Sequence, residues 1–395
     1  MSQTQPDLLD MPSPTDKAAN EELEFVYPQK SKGELQNAYY VLKLLSNPLI
    51  VSLSSSAALL ALKLHLPIGF AIKRTIFKHF CGGETLKESE ATIARLGESG
   101  IGTTLDYSVE SKDSESFFEQ TKQEIVNAIS YVEDNNWVNN LAIKPTGLIS
   151  ESLLDKTSQG IELNAREKIR FVDGVDRINQ ICEAGKEKGV EIYIDAERSG
   201  AQDAIDGISI AMMKKYNTDK VTVFITLQMY RTDRLNYLET LVNISKQGGF
   251  KVGVKLVRGA YWDRESALKK NVVYTKKSDT DAAYNKALDM CVANIDRFAI
   301  CNATHNEEST RYLAKKMKLR GIANSDERIY FSQLYGMSDQ ISYTLADHGY
   351  NVTKYLPYGK VREVIPYLIR RAEENSSISG QMGREMAMIA EARKR

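Results

Sequence analysis

Two cations stand in and after one apolar run, Lys251-Val-Gly-Val-Lys-Leu-Val-Arg-Gly-Ala-Tyr-Trp262. Val252, Val254, Leu256 and Val257, bounded by glycines, have the pattern of a strand buried on both faces. Lys255 interrupts that run and Arg258-Gly259 ends it. An unpaired buried charge is expensive, so these cations need an anionic or electron-rich partner, unless they snorkel to water. Gly259-Ala260 removes side chains where a flat group could approach the backbone. A second cationic cluster lies in Pro366-Tyr-Leu-Ile-Arg-Arg-Ala-Glu-Glu-Asn375. At about 100° per residue, Tyr367, Arg370, Arg371 and Glu374 share one helix face, with Pro366 in the first turn. That face is either a solvated charged surface or a clamp, in which two guanidinium forks grip a carboxylate and Glu374 orients them. Lys144, in Ile-Lys-Pro-Thr-Gly, is either a third cation for the clamp or an ordinary strand-end lysine.

His305, in Ala-Thr-His-Asn-Glu, is the one histidine at a predicted strand end. No second ligand sits at metal spacing, and no Ser-His-Asp or Cys-His arrangement suggests itself, so no metal is expected. Cations, a glutamine, a histidine and carboxylates, with glycines for close approach, suit a planar organic cofactor better than hydrolysis.

The elements that must position these residues follow from periodicity. Short β-rich runs occur at 103–107, 140–146, 190–195, 221–228, 252–257, 298–303, 328–333 and 352–356. Helical stretches such as 115–132, 165–188, 202–216 and 282–295 separate them, and Gly189, Gly248-Gly249, Gly321 and Gly349 precede strands. Eight strand signals alternating with helices predict a closed parallel β/α barrel. Asp106, Lys144, Asp195 with Glu197, Gln228, Lys255 with Arg258, His305 and Tyr355 then fall at the C-terminal strand ends, the mouth of such a barrel. Four segments are expected: a disordered tail over 1–33, a helical segment over 34–101, the barrel over 102–377 and a C-terminal tail over 378–395. The apolar run Leu49–Leu62 is too short to span a bilayer comfortably. It packs on the main domain or, alternatively, touches a membrane interface.

Composition bounds the function. Of 395 residues, 52 are Lys or Arg and 52 Asp or Glu, so no global basic field recruits nucleic acid. The four cysteines are scattered, which points to a reducing compartment. The first thirty residues lack a secretory or mitochondrial presequence pattern, so a cytoplasmic location is expected.

Several motifs together are more specific. Val-Lys-Leu-Val-Arg-Gly-Ala-Tyr-Trp, Ile-Asp-Ala-Glu, Ala-Thr-His-Asn, Gln-Leu-Tyr-Gly-Met-Ser-Asp-Gln-Ile-Ser and Tyr-Leu-Pro-Tyr-Gly…Pro-Tyr-Leu-Ile-Arg-Arg-Ala-Glu-Glu-Asn resemble the FAD-dependent proline dehydrogenase family, in order from about Leu105 to Ser377. The resemblance implies a distorted eight-stranded barrel with an N-terminal helical extension and a last helix over the mouth. It also implies noncovalent FAD, L-proline as donor and a membrane quinone as acceptor, with the protein cytoplasmic or peripheral to the inner membrane. Carried over, Arg370 and Arg371 bind the proline carboxylate, Lys144 assists and Glu374 holds the arginines. Tyr355, Tyr367 and Leu256 wall the ring. Asp195 matches a critical aspartate near the flavin, and Lys255, where many members have Arg, matches the position facing flavin N5. Ala196, Gln228, Arg258, Gly259, Ala260, Thr304 and His305 match flavin-contacting positions. The chain resembles a stand-alone bacterial form. Two other readings remain at this point: a Schiff-base aldolase using Lys144 or Lys255, and a catalytically silent binding barrel.

Overall fold

The computed structural model describes residues 23–394, less 29, 65, 67–68, 110, 134, 269–271 and 378. Eight strands form in order: β1 (Ile101–Tyr107), β2 (Val138–Ile143), β3 (Glu191–Ile194), β4 (Val223–Gln228), β5 (Val252–Val257), β6 (Phe298–Ala303), β7 (Ile329–Leu334) and β8 (Val352–Tyr358). Each pairs in parallel with its sequence neighbours, and β8 pairs with β1 to close the barrel. Alternation along the strands sorts the side chains into two cores. Val252, Val254 and Leu256 point outward into the cluster shared with the helices, while Tyr193, Phe224, Cys301 and Tyr355 fill the interior. Polar interior groups satisfy one another: the Thr104 hydroxyl donates to that of Thr353 at 3.1 Å, which donates to Ser332 at 3.1 Å.

Local chemistry sets the boundaries. β2 stops at Ile143, short of the expected Thr146, because Pro145 begins a 3-10 turn over Pro145–Gly147 and cannot donate to a ladder. Helix Ala165–Lys188 opens on a capping box between Asn164 and Glu167. It closes on Gly189 at φ 69°, the left-handed cap a glycine takes without strain.

The last barrel helix, Val361–Ser377, departs from a regular barrel and is called the clamp helix below. It starts five residues before Pro366, not at it, because backbone bonds to the Lys360 carbonyl and a 3.0 Å bond from the Val361 amide to Glu84 Oε1 set the first turn. Pro366 therefore sits inside the helix and removes one internal hydrogen bond. Val364, Tyr367 and Leu368 pack against Phe77, Phe80 and Met337. Helix Leu86–Glu98, through Ile93 and Leu96, covers the outside of β1 and β8 instead.

Two N-terminal helices, α1 (Lys32–Leu45) and α2 (Pro48–Lys63), complete the molecule's flank. α2 packs on the clamp helix, with Val51 in the cluster that holds Val364 and Leu368. α1 meets the tail helix Ser379–Ala392 through Leu42 and Ile389. Residues 1–22 of the expected tail lie outside the described residues; beyond them Phe25 and Tyr27 are buried and Lys30 pairs with Asp339. No single helix among the described residues is long and apolar enough to cross a membrane.

Candidate active site

At the C-terminal end of β3, the Asp195 amide donates to the Ile143 carbonyl at 2.9 Å, which fixes Asp195 at the rim. Its carboxylate accepts from Lys255 Nζ at 2.6 Å on one oxygen and from the Tyr355 hydroxyl at 2.9 Å on the other. The Lys255 ammonium lies 4.7 Å from the Tyr355 ring centre and 5.8 Å from that of Tyr193. Burial first, then Asp106 and Asp195, push the Tyr355 phenol well above its ordinary range, so it donates and stays neutral. Lys255, which the sequence says needs an anionic or electron-rich partner, is therefore half of a largely buried ion pair. Beside it, Asp106 is fully buried, pairs with Lys144 and accepts from Ser108.

The next three strands build a polar wall. Gln228 Nε2 donates to the Glu197 carbonyl at 2.6 Å. The Glu197 carboxylate accepts from the Thr146 amide at 2.9 Å and hydroxyl at 2.7 Å; its burial raises its pKa. Arg258 is held on every side: Asp281 at 2.7 Å, Thr304 at 2.6 Å, Ser309 at 3.0 Å and the Tyr284 ring 4.5 Å away. Gly259 has φ 128°, and a Cβ there would fall 1.6 Å from a carbon of the Tyr230 ring. Tyr230 is buried and donates to Glu265 at 2.7 Å, so only glycine fits. Ala196 is half-buried, Ala260 is exposed and Thr304 is buried. His305 Nδ1 lies 3.0 Å from the Ser338 hydroxyl. Part of the His305 surface stays exposed, yet burial of the ring, then Lys354, Arg371 and Arg258, lower its pKa to about 3. The imidazole is neutral at ordinary pH.

The clamp helix supplies the remaining wall. Tyr367 and Arg371 are buried and Arg370 is half-buried, against a solvated charged face. The Arg371 guanidinium lies 5.2 Å from the Tyr367 ring centre. Arg370 and Arg371 act electrostatically on Tyr261 together with Glu197 and Asp195, Arg371 acts on His305, and Tyr367 on Tyr355. Both arginines thus lie within electrostatic reach of Tyr261, just past the end of β5. The Glu374 side chain lies outside the described residues. Leu256, expected in the ring wall, points into the outer core, because it is one residue out of phase with inward Lys255.

The family model for proline dehydrogenase matches residues 89–384. The chain belongs to the proline dehydrogenase family. It is 34% identical over 311 residues to the carbapenem antibiotics biosynthesis protein CarD of Pectobacterium carotovorum subsp. carotovorum, covering 78% of this chain and 81% of that one. It is 33% identical over 408 residues to proline dehydrogenase 1, mitochondrial, of Dictyostelium discoideum, covering 90% and 71%. Among solved structures, proline utilization A (PutA) from Bdellovibrio bacteriovorus superposes with a TM-score of 0.70 at 22% identity, over 91% of this chain and 39% of that one, and so shows the shared fold.

The proline dehydrogenase match spans all eight strands and the clamp helix. Several further residues of this site lie outside the sequence expectations. Tyr261 lies among Arg370, Arg371, Glu197 and Asp195, and its signal was its place in the Arg-Gly-Ala-Tyr-Trp motif. Ser338, at φ 51° before helix Asp339–Asp347, holds His305. Asp281 and Ser309 fix Arg258 from two helices distant in sequence, and no spacing rule could have shown them.

Proposed function

We propose that this chain oxidises L-proline to Δ1-pyrroline-5-carboxylate with noncovalent FAD, and that a membrane quinone takes up the electrons. The observation that carries this reading is the Asp195–Lys255–Tyr355 cluster at the mouth, with Arg370 and Arg371 on the clamp helix in electrostatic reach of Tyr261 just past β5. Family membership supports proline as the substrate. Two guanidinia in a partly dry site match a carboxylate, and Tyr355 and Tyr367 offer flat walls to a five-membered ring. The residues on β4, β5 and β6 fit a flavin. Gln228 is oriented by its bond to the Glu197 carbonyl, Arg258 is fixed, and Gly259 lets the Tyr230 ring close against the end of β5. When bound, FAD supplies a two-electron acceptor that the side chains themselves lack. The chain's own share is to hold proline by its carboxylate, orient the ring and exclude water. The Asp195–Lys255 pair cancels its own two charges, and no side chain is required as base when proline enters deprotonated.

A Schiff-base role fits less well, since Lys255 and Lys144 are both engaged by carboxylates, Asp195 and Asp106. On the main reading the protein works in the cytoplasm, peripheral to the inner membrane. The purified chain should release intact FAD on denaturation and reduce a soluble dye only when proline is present. Protein refolded with excess FAD that shows no flavin absorbance, or no proline-dependent dye reduction, would remove this reading.

A further inference from the structure

Among the described residues Ser338 alone, glycines apart, has a positive φ, 51° with ψ 45°. A residue with a Cβ is strained there, so the turn between β7 and helix Asp339–Asp347 must be held from outside. Three elements hold it. The Ser338 amide donates to Glu385 on the tail helix at 3.3 Å. From β8, Lys354 donates to the Met337 carbonyl at 2.6 Å and pairs with Asp339 at 2.8 Å. The Ile341 amide, one turn into the following helix, donates to the Ser338 carbonyl at 3.1 Å. The same turn grips the end of β6. Ser342 donates to Gln333 at 2.8 Å, and Gln333 donates to the Thr304 carbonyl at 3.1 Å. Next in sequence to Thr304, His305 Nδ1 lies 3.0 Å from the Ser338 hydroxyl.

The direction of that last bond follows from burial. Ser338 is 6% exposed, and among the described residues its hydroxyl has no partner besides Nδ1. A hydroxyl with one partner satisfies its O–H only by donating, and an unmet buried donor is costly. The reverse arrangement, with a proton on Nδ1, would leave that O–H without an acceptor. Burial, then Lys354, Arg371 and Arg258, keep the imidazole neutral, so its single proton sits on Nε2. We propose that Ser338 is a positioning residue for the reaction, which fixes the His305 ring as the Nε2–H tautomer and so presents an N–H donor at the end of β6. FAD carries carbonyl and phosphate oxygens, the acceptors such a donor fits. This deepens the flavin reading above and rests on it for the use of the donor, whereas the tautomer rests on the geometry alone.

The chain has four histidines, so nuclear magnetic resonance of isotopically labelled imidazole nitrogens gives few signals, and His305→Ala identifies those of His305. In the full chain at neutral pH, loaded with FAD and again after its removal, His305 should show a protonated Nε2 and an unprotonated Nδ1 as one species. Ser338→Gly removes the hydroxyl and also relieves the φ of 51°. Its thermal midpoint should therefore stay at or above that of wild type, while the His305 signals of the FAD-free variant move to a mixture of both tautomers. The same variant should bind FAD about fivefold more weakly, the loss of one oriented hydrogen bond, and so should His305→Ala. Ser338→Gly combined with His305→Ala should bind FAD within about twofold of His305→Ala alone, since a residue acting through another adds nothing once that other is gone. A proton on Nδ1 in wild type, or His305 signals in Ser338→Gly that match wild type, overturns the proposal. So does a clearly lowered midpoint, unchanged FAD affinity in Ser338→Gly, or additive losses in the double variant, which would mark Ser338 as structural. If wild type binds no FAD the cofactor reading fails, and the spectra of the FAD-free chain still decide the tautomer.

Discussion

At Asp195 and Lys255 the site keeps two opposite charges 2.6 Å apart, with side chains 15% and 7% exposed. Such a pair contributes little net stability, yet removing one partner strands the other. Lys255→Met and Asp195→Asn should each cost about 2–4 kcal/mol in denaturant unfolding, somewhat below the fully buried range because the carboxylate keeps some contact with water. The double variant should cost clearly less than the sum, an interaction of about 1–3 kcal/mol. Additive losses would mean that the two side chains do not form a pair. Gly259→Ala belongs to the same scale. Its Cβ would meet the anchored Tyr230 ring, and φ 128° is strained for alanine. A loss of about 2 kcal/mol or more is expected in unfolding, with reduced retention of FAD through gel filtration. A variant as stable as wild type that keeps its flavin would count against this account of the β5 end.

Among the elements, the tail helix Ser379–Ala392 carries a testable titration. Glu385 is buried, and the Ser338 amide points to it at 3.3 Å. Burial and then Asp339 raise its pKa to about 7, with Lys354 and Lys30 opposing. A carboxyl whose folded pKa lies above its ordinary 4.5 stabilises the fold fully below that value. That contribution is lost as pH rises towards and through about 7. Thermal midpoints of wild type and Glu385→Gln should therefore draw apart in the variant's favour between pH 5 and pH 8, as an order-of-magnitude window around that titration. Parallel curves would show that Glu385 does not titrate there. The elements were also where the sequence was most legible. The strands stand out because glycines precede several of the short β-rich runs and polar residues stand at most of their C-terminal ends, and helix Ala165–Lys188 carries its own capping box and glycine stop. The clamp helix misled at its start, since Pro366 looks like a first-turn proline. The turn is set earlier by Glu84, a partner 277 residues away in sequence.

For the whole molecule, the mouth could be read as a ring of polar strand ends, but the pairings inside it could not. Whether Lys255 meets Asp195, or Lys144 meets Asp106, depends on which strands close beside each other, which only the barrel decides. The motif resemblance assigned roles that composition alone left open between a cofactor enzyme, an aldolase and a silent barrel. Leu256 shows the limit of carrying roles over, since pleat phase turns it away from the interior. The N-terminal helix α2 packs on the clamp helix, so the placement of Arg370 and Arg371 depends on packing that includes Val51.

The most direct test of the account is an anaerobic titration of the FAD-loaded chain with proline, followed by the flavin's visible absorption, in wild type and Arg371→Met. Losing a partly buried guanidinium contact to a carboxylate should cost about 2–4 kcal/mol, a shift of tens- to hundreds-fold in the proline needed. Proline should bleach the wild-type band, and Arg371→Met should begin with the same band and bleach only at those higher concentrations. A band that proline leaves unchanged, or a variant that titrates within twofold of wild type, would contradict it.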